Sequence, residues 1–92
     1  MTNEQILNAI EEYRSCFTKF GIHAESYAHD VRMNYQEHPD ADLYHCHSML
    51  DKMVGFVEEG KTEKAFRWLG FIQGVLWARG YYTLDQLKDH NR

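Results

Sequence analysis

Residues 67–80 read RWLGFIQGVLWARG, and this run limits what the chain can fold into more than any other stretch. Eight of its fourteen residues are apolar, yet Arg67, Gln73 and Arg79 interrupt it, and Gly70 and Gly74 stand one turn apart within it. A bilayer-spanning helix needs about 20 apolar residues. The overlapping apolar run 65–78 is shorter than that and contains Arg67 and Gln73, so it reads as a core helix. On a helical wheel Ala65, Leu69, Ile72 and Leu76 form one face, Trp68, Phe71 and Val75 a second, and Phe66, Gly70, Gln73 and Trp77 a third. Apolar groups in nearly every direction predict a central helix over 62–79 with the other elements packed around it.

The flanking segments supply those elements. Thr2 with Gln5 forms a capping box that starts a helix over 3–20, whose stripe is Ile6, Ile10, Tyr13, Phe17 and Phe20. Pro39 and Asp40 precede a second helix that buries Leu43, His47, Leu50, Val54 and Val57. Thr62 is the expected cap of the third helix, and Thr83 with Gln86 caps a short fourth one. Gly21, Gly60 and Gly80 stand where the first three helices should stop. Between the first two helices, Tyr27, His29, Val31, Met33 and Tyr35 alternate, which suits an extended segment. With no second strand to pair it, residues 22–39 are expected to form an extended arm over the helices. The predicted fold is therefore all-α: a small four-helix, bundle-like single domain over residues 1–92, built around 62–79.

Composition narrows the function. A net charge of −4 opposes a nucleic-acid binder or a protein of anionic membrane surfaces, either of which would carry a basic stripe. Aromatic residues make up 14% of a 92-residue chain, more than a small core consumes, and such surplus is often spent on a partner. The opening MTNEQIL has neither the basic nor the apolar region of an export leader, so Cys16 and Cys46 are expected to be reduced, buried thiols in a cytoplasmic setting.

Six histidines, and the HCH of 45–47 in particular, raise the question of a metal. Helical residues two apart diverge by roughly 200°, so His45 and His47 cannot grip one ion together, and no metal site is assigned. Cys46 does not face either neighbour, as a thiol–imidazole pair requires. Glu11–Glu12 and Glu58–Glu59 are solvent-side neighbours rather than an opposed acid and base. No phosphate loop or serine elbow is present. The expectation is a protein that is not an enzyme and uses no cofactor.

Residues 63–92 resemble the C-terminal block of a family of small proteins encoded by tailed phages and prophages. The shared pattern runs E-K-A-x-R-W-L-G-F-x-Q-G-x-L-W and continues to Gly80, Thr83, Leu84, Leu87 and Asn91. LYHCHSMLDKM, residues 43–53, is similar more weakly, and Phe66 stands where the family's pattern suggests methionine. The resemblance implies a phage setting in the host cytoplasm, and no chemistry.

The polar interruptions of the apolar run then suggest a site. A guanidinium beside bared backbone and indole could hold an anion or a nucleobase. The expected ligand-binding residues are Arg67, Gln73, Trp77, Gly70, Gly74, Tyr81, Tyr82 and His47, in a pocket shared between identical subunits of a homo-oligomer. The corresponding function is a phage accessory protein that sequesters a small anionic, nucleotide-like ligand and so blunts a host defence. Two rivals are an inhibitor or adaptor docking an apolar helix face or the arm on a host protein, and a virion or assembly component. The structural alternative for Arg67 is an ion pair with Asp51 or Glu58, and for Arg79 a complement to its helix dipole.

Overall fold

A computed structural model describes all of residues 1–92 and shows four helices and no strand. These are α1 (Asn3–Lys19), α2 (Ala41–Glu58), α3 (Thr62–Ala78) and α4 (Leu84–His90). Both predicted capping boxes form: Thr2 accepts from the Gln5 N–H and Thr83 from the Gln86 N–H, each glutamine reaching back to its cap. The cap expected at Thr62 does not form. Lys61 holds the N-cap position without a side-chain bond, and the Thr62 hydroxyl instead donates to Asn3 at 2.7 Å, tying α3 to the start of α1. Gly80 takes φ 79°, a left-handed conformation that lets the chain leave α3 and turn at once into α4.

α1, α2 and α3 pack on one another, and α4 closes one end against α1. The core runs through all four: Ile6, Ile10, Tyr13 and Phe17 from α1 meet Leu43, Leu50 and Met53 from α2, Leu69, Ile72 and Leu76 from α3, and Leu87 from α4. Fully burying one such side chain is worth about 1.5–3 kcal/mol. The predicted stripes supply only part of this core: Phe20 is 57% exposed at the end of α1, and in α2 Cys46, Met49 and Met53 are buried while His47 and Val54 are only partly so. Cys16 and Cys46 are buried and not bonded to each other.

Residues 23–38 form an irregular arm with isolated turns and no strand. It is held at a few points. The Glu25 N–H donates to the Tyr44 carbonyl at 3.1 Å, the Tyr27 N–H to His45 Nδ1 at 3.1 Å, and the Tyr35 hydroxyl to Asp42 at 3.1 Å.

α3 packs on both long helices, most extensively on α2. It is not enclosed on all sides, however. Ala65, Leu69, Ile72, Gln73 and Leu76 are buried, while Phe66, Arg67, Gly70, Phe71, Gly74 and Trp77 face outward. Three other helices, one of them only seven residues long, are too few to surround a fifth-of-the-chain helix of 17 residues. No helix is long and apolar enough to cross a membrane.

Candidate functional site

The eight expected ligand-binding residues divide into an inner set and an outer set. Gln73 is the inner one on α3. Its amide Nε2 donates to the Tyr13 hydroxyl at 2.8 Å and to Asn91 Oδ1 at 2.6 Å, while Asn91 Nδ2 returns a bond to Gln73 Oε1 at 3.2 Å. The Tyr13 hydroxyl in turn lies 3.0 Å from His90 Nδ1. A consistent set of protons has Gln73 donating to Tyr13 and Tyr13 donating to His90. Burial pushes the Tyr13 phenol up to about 12, against the lowering effect of the Gln73 bond, so it stays protonated and can donate. Tyr82 packs on the same cluster, its ring centroid 5.7 Å from Tyr13 and 4.9 Å from His90, with its hydroxyl 3.2 Å from Glu12. Gln73 and Tyr82 therefore lock α3, α1 and α4 together; the buried amide is satisfied and is not held in reserve for a ligand.

His47 has a structural place as well. Its Nδ1 donates to the Ile22 carbonyl at 2.7 Å and its ring stacks on Phe17 at 5.1 Å, fixing the exit of α1 against α2. His45 turns to the arm instead, and burial holds its pKa below the ordinary histidine range. The two imidazoles of the HCH segment thus serve different neighbours, and Cys46 between them is fully buried, its thiol pushed up to about 12 by that burial. Nowhere do three or more His, Cys, Asp or Glu side chains come close enough to hold one ion.

The outer set is Arg67, Gly70, Gly74, Trp77 and Tyr81. Arg67 is exposed and bonded to neither Asp51 nor Glu58; Asp51 takes Arg14 at 2.9 Å. It borders a shallow hollow of about 330 Å³ with Met1, Thr62, Glu63 and Phe66. Trp77, Tyr81 and Tyr82 share a different hollow of about 670 Å³ with Leu84 and Asp85, and Gln73, Gly74 and Trp77 line a third of about 270 Å³ beside α4. Ten residues of helix separate Arg67 from Trp77, roughly 15 Å along the axis. A single chain therefore does not assemble the expected pocket: its cation is at one end of α3 and its aromatic walls are at the other.

Arg79 does more than complement a dipole. It pairs with Asp40 at 2.8 Å and with Asp42, and its guanidinium lies 5.8 Å over the Tyr35 ring. Burial works against its charge, but the two carboxylates outweigh it and hold its pKa above the usual arginine value. Asp42 also accepts from Tyr35, so one arginine joins the end of α3, the start of α2 and the arm.

Sequence reasoning missed one feature of this side of the molecule. The arm stands off from α2 and α3 and leaves a hollow of about 400 Å³ walled by Tyr27, Met33, Tyr35, His45, Phe71 and Val75, among others. The alternation in 27–35 was its only signal, since a solvated arm has no need of so many large apolar groups.

Comparison with models of known protein families, with curated proteins and with solved structures returned no match.

Proposed function

We propose that the chain is a non-enzymatic interaction protein that works through the outer face of α3. One observation carries this reading. Phe66, Phe71 and Trp77 stand 47%, 55% and 52% exposed around two glycines whose absent side chains would have met nothing within 4 Å. A helix that bares large aromatics and keeps its midline flat presents a contact surface rather than a solvated face. Phe66, Phe71 and Trp77 are three of the five exposed large aromatics, so much of the aromatic surplus is on this surface. The resemblance of residues 63–92 to tailed-phage proteins supports a phage accessory role in which such contact blunts a host process.

Phe71→Asp tests the reading, because the position is 55% exposed and lies outside the buried core. Immobilised wild type is expected to retain a stoichiometric protein partner from concentrated host extract or from its own purified pool. The variant, with unchanged circular dichroism, is expected to lose it. Equal retention by both chains, or none by wild type, would overturn the reading.

A second reading keeps the small ligand. The hollow beside Trp77, Tyr81 and Tyr82 has the aromatic walls a nucleobase would stack on. Its charged lining residue is Asp85, which opposes an anion unless a cation arrives from elsewhere. Thermal shifts against cyclic dinucleotides and ADP-ribose derivatives test it, and wild type unmoved by every compound would dismiss it.

A further inference from the structure

The outer face of α3 is the middle of a larger apolar surface. Ten large apolar side chains are exposed in the molecule. Phe71 shares its hollow with Val31, Met33 and Tyr35 of the arm, Phe66 shares one with Met1, and Trp77 shares two with Leu84. Only Leu7 and Phe20 are not tied to α3 in this way. A half-exposed side chain of this size offers on the order of 80–100 Å², so the connected surface amounts to roughly 700 Å². The largest apolar patch of a typical monomer is about 300–600 Å². Two such surfaces pressed together would bury roughly 1,400 Å², within the range of about 1,200–2,000 Å² for a stable specific interface.

We propose that the occupant of this face is a second copy of the chain, paired antiparallel along α3 with the two-fold axis midway between Gly70 and Gly74 on the outer face. The inference rests on the reading of α3 as a contact surface and names the partner. In that register each Gly70 lies against the partner's Gly74, so the two helices approach most closely where neither has a side chain. Phe66 comes level with the partner's Trp77, on the same side of the seam, and Phe71 sits over the partner's Gly74.

Charge selects the antiparallel sense. α3 has Glu63 in its first turn and no basic residue in its last, while Arg79 just beyond is engaged by Asp40 and Asp42. Antiparallel pairing brings the unpaired Arg67 to the partner's uncompensated helix C-terminus, beside the partner's Ala78 and the edge of the partner's Trp77. Parallel pairing would set the two Arg67 guanidinium groups level with each other. The antiparallel dimer also unites Arg67 with Trp77 across the seam, which one chain cannot do.

Sedimentation equilibrium from 5 to 500 µM on wild type and Gly74→Leu tests the association. Within a chain a Cβ at 74 meets nothing within 4 Å, and the position borders the open hollow beside α4, so Gly74→Leu is expected to melt as well as wild type at low concentration. In the dimer it strikes the partner, and its dissociation constant is expected to rise at least tenfold. Wild type monomeric throughout, or Gly74→Leu associating as wild type does, would overturn the dimer. A monomer would leave the interaction reading standing, since that reading falls only if Phe71→Asp also changes nothing in host extract. Register is tested by one added surface cysteine at a time, the native Cys16 and Cys46 being buried. Gly70→Cys mixed with Gly74→Cys is expected to cross-link faster than either alone, and faster homotypic cross-linking would overturn the antiparallel pairing.

Discussion

Gln73 is an amide on the inner face of an apolar helix, and every polar atom around it is accounted for. It bonds to Tyr13 and reciprocally to Asn91, while Tyr13 also reaches His90. Such a network stabilises only when complete, because each orphaned buried group costs about 1–3 kcal/mol. Gln73→Leu is therefore expected to lower the free energy of unfolding by about 1–2 kcal/mol. Urea titration at fixed pH measures this, and an unchanged midpoint would show that the amide contributes nothing to the fold. Were Gln73 a ligand contact instead, its loss would affect binding and leave stability alone.

His45 gives the pH dependence at the same scale. Burial, with His29 and Lys52 adding repulsion, holds its folded pKa below the ordinary value. The unfolded chain then binds the proton more readily than the folded one. The stability His45 contributes is complete above its unfolded pKa of about 6.5 and is lost as pH falls through the lower folded value. Urea midpoints are expected to fall from pH 7.5 to 5, and to fall less in His45→Gln. Identical slopes for the two chains would count against this account.

At the scale of elements, α3 carries a deliberate weakness. Glycine inside a helix costs about 0.5–1 kcal/mol relative to alanine, and α3 pays it at Gly70 and Gly74, where the backbone is helical and the space is open. Gly70→Ala and Gly74→Ala are each expected to stabilise the dilute chain by that amount, raising its melting temperature by a few degrees. Destabilisation by either would mean that a neighbour within the chain occupies the site. The arm depends on Arg79. Arg79→Gln is expected to weaken the fold by about 1–2 kcal/mol and to speed proteolysis within 23–38, because Asp42 loses its cation and Tyr35 its stacking partner. Unchanged cleavage would show that the remaining bonds to α2 suffice to hold the arm.

Legibility differed by element for physical reasons. The capping boxes and the α1 stripe as far as Phe17 could be read because local bonds and a period of 3.6 leave a direct trace in the sequence, whereas α2 turns Cys46, Met49 and Met53 inward more than the expected His47 and Val54. The outer face of α3 could not. Periodicity distinguishes an apolar group from a polar one, but not an apolar group that faces a core from one that faces water. Phe66 and Leu69 look alike in sequence, yet one is about half exposed and the other fully buried. The Gln73–Tyr13–His90 network joins positions up to 77 apart, which no local pattern encodes. Arg79 was similarly understated, because its carboxylates lie across the chain at Asp40 and Asp42.

For the whole molecule, the account turns on whether a second copy of the chain covers the outer face of α3. Hydroxyl-radical footprinting across a dilution series tests this most directly, because exposed aromatics oxidise in proportion to their access to water. Phe20, 57% exposed and lining no hollow with α3, is the internal standard. The account predicts that oxidation of Phe66, Phe71 and Trp77 falls as concentration rises while Phe20 stays constant. Oxidation of all four in constant proportion, from the most dilute to the most concentrated sample, would contradict it.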